Sequence, residues 1–135
     1  MKKRLRKGLS TLTDLHNHSD WTTWDIEEVQ PRSEQTTLLP PRAKDPFFVA
    51  TDERDPDARR KFAEEGAVFV SDLLTMEDHR AFGWSLMITD VMALVEQEVL
   101  VYSSFFYGNA MSSFGGVVVN LRASHGADPR TMILD

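Results

Sequence analysis

From Pro46 onward, short apolar runs alternate with amphipathic segments, and this alternation constrains the fold more tightly than any other feature of the chain. Phe47-Phe48-Val49-Ala50 is brief, aromatic and β-branched, and it stops at Thr51-Asp52-Glu53, the pattern of a buried strand that ends in a polar loop. Asp55-Pro56 then opens a helix: proline suits a first helical turn, Asp55 can cap it, and Ala58, Phe62 and Ala63 give it an apolar side before Gly66 stops it. Ala67-Val68-Phe69-Val70 is a second buried strand. A helix is predicted from Ser85 to Val101, because Ile88, Val91, Met92, Val95 and Val99 recur at three- and four-residue spacing. Phe105-Phe106-Tyr107 reads as a third strand, Gly108-Asn109-Ala110-Met111 as a loop, and Ser112-Ser113-Phe114 as the start of a helix carrying Val117, Val118 and Leu121. Strand and helix in strict alternation predict an α/β fold: a Rossmann-like parallel sheet with right-handed crossovers and helices on both faces. In such a sheet ligands gather where strand C-termini meet helix N-termini.

Residues 1–45 have a different texture. They are polar and Thr-rich, interrupted by Pro31, Pro40 and Pro41, and carry no sustained period of 2 or 3.6, so they are expected to form an irregular arm beside a lobe at 46–135. The basic opening Met1-Lys2-Lys3-Arg4-Leu5-Arg6-Lys7 reads as a solvated tail. With a net charge of −6 and the remaining cations scattered, no nucleic-acid partner is expected. The absence of cysteine excludes disulfides and thiolate chemistry. No apolar run approaches the roughly 18 residues of a membrane span, and no signal peptide is read at the start.

Four groups of residues are candidates for chemistry. Free amides at a helix start, the helix dipole and the hydroxyls of Ser112 and Ser113 together form a place for phosphate oxygens, while the same residues serve equally as an ordinary N-cap and turn. Glu96 and Glu98 lie on the preceding helix; a carboxylate looking into the cleft can accept two parallel N–H bonds from a guanine ring, and one looking outward is a solvated helix face. Asp52 stands at the end of the first strand, as a ligand contact or a loop cap. The segment Asp14-Leu15-His16-Asn17-His18-Ser19-Asp20 resembles the opening motif of metal-dependent phosphoesterases of the polymerase-and-histidinol-phosphatase type, with His16 and His18 on one strand face. Only His79 and His125 remain as further histidines, and neither is metal-spaced, so no metal cofactor is expected.

Across residues 47–135 the succession "FFVATDE", "ALVEQEVLVYSSFFYGNAMSSFGGVVVNLR" and "HGADPRTMILD" resembles the C-terminal region of the GDP-fucose protein O-fucosyltransferases. The resemblance rests on a Thr-Asp element (Thr51, Asp52), an acidic residue (Glu96) sixteen positions before Ser112-Ser113-Phe114, and an arginine, Arg122, closing the next helix. It implies the C-terminal lobe of an inverting, metal-independent GT-B glycosyltransferase that holds GDP-fucose. By that resemblance Glu96 recognises guanine where the family carries Asp, Ser112, Ser113 and Phe114 hold the diphosphate, Asp52 lines the cleft, and Arg122 supports the site or the fold. The family also implies the secretory pathway.

The family's H-[IL]-R-x-x-D element, whose arginine stabilises the departing diphosphate, has no counterpart in these residues, and residues 1–45 have no room for an acceptor-binding lobe. The expectation is therefore an incomplete transferase that binds GDP or GDP-fucose, turns over little or nothing, uses no cofactor, and engages a protein or glycan acceptor only alongside a complete N-terminal lobe. Its bared interlobe face is expected to promote self-association. The alternatives are a non-enzymatic α/β interaction domain with a vestigial nucleotide site and, more remotely, the phosphoesterase of His16 and His18.

Overall fold

The computed structural model describes residues 2–18, 40–42 and 44–135. The chain is mixed α/β and divides into two compact units, one spanning Lys44–Val99 and the other combining Met1–Ala43 with Leu100–Asp135.

The Lys44–Val99 unit begins with a β-α-β element. Strand β1 (Phe47–Phe48) runs parallel to β2 (Ala67–Val68), with Phe47 opposite Ala67 and Phe48 opposite Val68. Helix α1 (Pro56–Glu64) connects them. Its start is local chemistry: the Asp55 side chain accepts the Asp57 amide at 3.1 Å, and Pro56 occupies the first turn, where its missing N–H costs nothing. Its end is Gly66, whose φ of +95° lets the chain turn straight into β2. Phe69 and Ala67 are buried, and the Arg59 guanidinium lies 4.3 Å over the Phe69 ring while donating to Ser71 Oγ. A short helix α2 (Val70–Leu73) follows, then α3 (Met76–Phe82), opened by a reciprocal cap in which Thr75 Oγ1 accepts the Asp78 amide and the Asp78 carboxylate accepts the Thr75 amide at 2.7 Å. Gly83 (φ +56°) turns the chain into a 3₁₀ segment, Gly83–Met87, before helix α4 (Thr89–Val101).

The second unit holds the other β-α-β element. Strand β3 (Phe106–Gly108) runs parallel to β4 (Met132–Leu134), with Phe106 opposite Met132, Tyr107 opposite Ile133 and Gly108 opposite Leu134. Helix α5 (Ser113–Ser124) is the crossover. It ends where Gly126 (φ +72°) bonds back to Ala123 and the Ala127 amide reaches the Arg122 carbonyl at 2.9 Å. The core gathers Leu100, Val101, Phe106, Val118 and Ala127.

Three expectations change. Residues 2–18 are not irregular: Lys2–His18 is a 17-residue helix, here αN, and Leu12 and Leu15 from it are buried in the core of this unit. Leu5, Leu9, Leu12 and Leu15 repeat at four, three and three residues, a helical stripe obscured by the charges and threonines around it. Of the rest of the segment read as an arm, residues 19–39 and 43 lie outside the described residues, and 40–42, 44 and 45 form no helix or strand. The strands, in turn, do not join one sheet: among the described residues they pair two by two, β1 with β2 and β3 with β4. The helix expected over Ser85–Val101 begins at Thr89, its first residues being the 3₁₀ turn.

Candidate functional site

The junction of β3 and α5 is assembled from glycine, asparagine and serine, each for its own reason. A Cβ on Gly108 would stand 2.7 Å from the Phe106 ring and 2.8 Å from Leu134, so only glycine lets these neighbours close at the strand end. The Asn109 side chain accepts the Met111 amide at 2.8 Å and the Asn109 carbonyl accepts the Ser112 amide at 3.0 Å, a turn the side chain builds for itself. Ser112 is the N-cap: its Oγ accepts the Gly115 amide at 3.4 Å, and its carbonyl accepts the Gly116 amide at 3.1 Å. Gly115 is buried because the Asn109 carbonyl lies over the first turn, 3.2 Å from where a Cβ would be. Ser112, having accepted one hydrogen bond, keeps its O–H for donation. Ser113 is exposed at the first helical position, where the backbone amide has no intrahelical acceptor, and Phe114 is half-buried beside it. The chemistry available is that of an anion donor set at the positive end of a 12-residue helix.

A charged cluster rims this mouth. The Asp135 amide donates to the Gly108 carbonyl at 3.1 Å and the Ala110 amide donates to the Asp135 carbonyl at 3.2 Å, which carries the β3–β4 pairing up to the loop. The Asp135 carboxylate accepts hydrogen bonds from the Tyr107 hydroxyl and from Arg4, whose guanidinium also lies 4.4 Å over the Tyr107 ring. The Tyr107 hydrogen bond, aided by Arg4, holds the Asp135 carboxyl below the ordinary carboxylate range, and the same bond raises the Tyr107 phenol. The Asp135 carboxylate is thus paired with the Arg4 cation. Arg4, Tyr107 and Asp135 were not anticipated; they come from αN, β3 and the residue after β4, so no local spacing announces them.

The remaining candidates are dispersed. Asp52 and Glu96 belong to the Lys44–Val99 unit, while Ser112, Ser113, Phe114 and Arg122 belong to the other. Asp52 is exposed in the loop after β1, where Thr51 Oγ1 accepts the Glu53 amide and the Glu53 carboxylate accepts the Asp55 amide. Glu96 is half-buried on α4; desolvation raises its pKa, and the positive charge of Arg59 partly opposes that rise. Glu98 is exposed.

Arg122 is a structural residue. It is 1% exposed, and Nη1 donates to the carbonyls of Leu100 (3.0 Å), Val101 (3.1 Å) and Ser103 (2.5 Å), so the guanidinium closes the C-terminal end of α4. Nη2 donates to Thr131 Oγ1 at 3.0 Å, and that hydroxyl donates to the Asp128 carbonyl. Burial lowers the Arg122 pKa to about 10.

His16 and His18 lie on αN rather than on a strand. Among the described residues no three His, Asp or Glu side chains gather to hold a metal ion, and no helix is long and apolar enough to cross a membrane. No protein-family model, curated protein or solved structure matches this chain.

Proposed function

We propose that the chain binds a guanine nucleotide sugar, GDP-fucose or GDP, through the β3–α5 mouth, as the Rossmann-like nucleotide-binding part of a GT-B, fucosyltransferase-like glycosyltransferase. The observation that carries this reading is the helix start after a parallel strand, where Ser113 is exposed and the Ser112 hydroxyl keeps donor capacity. The motif order from Thr51 to Arg122 supplies the sugar-nucleotide identity. Ser112, Ser113 and Phe114 hold the diphosphate; Glu96 and Asp52, which belong to the other unit, are assigned to the guanine and to the nucleotide by the family resemblance alone. Turnover in such a transferase requires an arginine element and an acceptor lobe as well, because transition-state stabilisation is divided between two lobes.

Calorimetry tests this directly. GDP and GDP-fucose bind weakly and in preference to ADP; Ser113→Ala lowers the affinity for every diphosphate, and Glu96→Ala removes the preference for guanine. Equal heats for all nucleotides, or indifference to both changes, would sink the assignment. A second reading, an interaction domain with a vestigial site, is favoured by Glu96, whose carboxylate already has Arg59 as a counter-charge; it predicts cooperative folding with no nucleotide binding.

A further inference from the structure

Between Leu73 and Ile88 the Lys44–Val99 unit leaves an unusual amount of apolar surface in water. Met76 is 70% exposed, Phe82 60%, Trp84 76% and Met87 84%, all displayed by α3 and the 3₁₀ turn that Gly83 folds against it. A tryptophan, a phenylalanine and two methionines exposed along one short stretch match the composition of interface cores, in which rigid aromatic anchors dominate the binding energy and methionines adapt to the partner.

The surrounding charge narrows the choice of partner. From Val70 to Val99 six carboxylates (Asp72, Glu77, Asp78, Asp90, Glu96, Glu98) stand against one cation, Arg80, and over residues 44–99 thirteen acidic residues oppose six basic ones. Glu77 and Asp90 sit exposed in the first turns of α3 and α4. A second copy presenting the same face brings like charge to like charge. The cationic element within this chain, αN, has Leu12 and Leu15 already committed to its own core and presents mainly lysine and arginine. What fits an apolar surface rimmed by carboxylates is a helix with both a free apolar face and a basic face.

We infer that the Met76–Met87 surface docks a cationic amphipathic helix of a different protein. Trp84 and Met87 are its apolar anchors, and Glu77 and Asp90 attract the basic face. This is independent of the nucleotide reading, since none of these residues belongs to the β3–α5 mouth.

The probe is an idealised Leu–Lys amphipathic peptide titrated into the full chain by calorimetry, with the charge-inverted Leu–Glu peptide alongside. The Leu–Lys peptide binds saturably and the Leu–Glu peptide does not. Trp84→Ser weakens binding about tenfold or more, the loss expected of one interface anchor. Glu77→Gln with Asp90→Asn weakens it and flattens its salt dependence, whereas Leu121→Ser, on α5, leaves it unchanged. Circular dichroism confirms that these surface variants stay folded. Failure of the Leu–Lys peptide to bind, equal binding of both peptides, or an unaffected Trp84→Ser overturns the proposal. So does a dimer of the chain alone, seen by sedimentation, that Trp84→Ser dissolves, because the occupant would then be a second copy.

Discussion

At the scale of single residues, Arg122 shows how a cation is kept inside a small protein without a carboxylate. Among the described residues its partners are three carbonyls and two hydroxyls, so removing it strands backbone acceptors at the end of α4, each costing about 1–3 kcal/mol when buried and unsatisfied. Arg122→Met is therefore expected to lower stability by about 2–4 kcal/mol in urea unfolding. Arg122→Lys keeps a charge but loses the fork that reaches Leu100 and Thr131 together, and falls between. Glu96 behaves in the opposite sense. Its folded pKa is raised above the unfolded value by desolvation, so folding favours the protonated carboxyl; that stabilisation is present at low pH and is lost as pH rises through the folded pKa. Glu96→Gln should accordingly raise the melting temperature at pH 7, with the gain shrinking toward pH 4. Calorimetric scans at both values measure it, and a gain that is larger at pH 4 would contradict the desolvation account.

Helices and strands respond to glycine in two directions. A Cβ at Gly116 meets nothing within 4 Å, so Gly116→Ala removes backbone entropy from α5 without a clash and is expected to stabilise by up to about 1 kcal/mol. Gly108→Ala drives a methyl into the Phe106 ring and Leu134, and is expected to cost about 1–3 kcal/mol. Denaturant titration of both variants checks the sign difference. The same elements show what the sequence made legible. Asp55-Pro56 and Ser112 mark helix starts because a cap acts within three residues, and the β3–α5 mouth, the local part of the candidate site, is readable for the same reason. Strand partners are not readable: two- and three-residue strands contain no register information beyond being apolar. Strand β4 is not legible either, because Met132-Ile133-Leu134 is too short to show alternation. The Arg59–Glu96 interaction and the reach of Arg122 to Leu100 join positions far apart in the chain, and no periodicity spans such distances.

For the molecule as a whole, the two units differ in how much they bury. Leu12, Leu15, Leu100, Val101, Phe106, Val118 and Ala127 are sealed in one, whereas Ala67 and Phe69 are the buried apolar residues of the other among those described. Local opening free energies track such burial, so native-state hydrogen exchange should release the amides of β1, β2 and α1 well before those of β3, β4 and α5. Simultaneous exchange would mean that the chain opens as one cooperative body.

Among the described residues each parallel ladder has only two members, so each strand has one flank without a strand partner. Such flanks are templates. In concentrated solution they invite extension by any extended segment that supplies matching donors and acceptors, and the shortness of the strands, two or three residues each, is what limits how firmly an unwanted guest can attach.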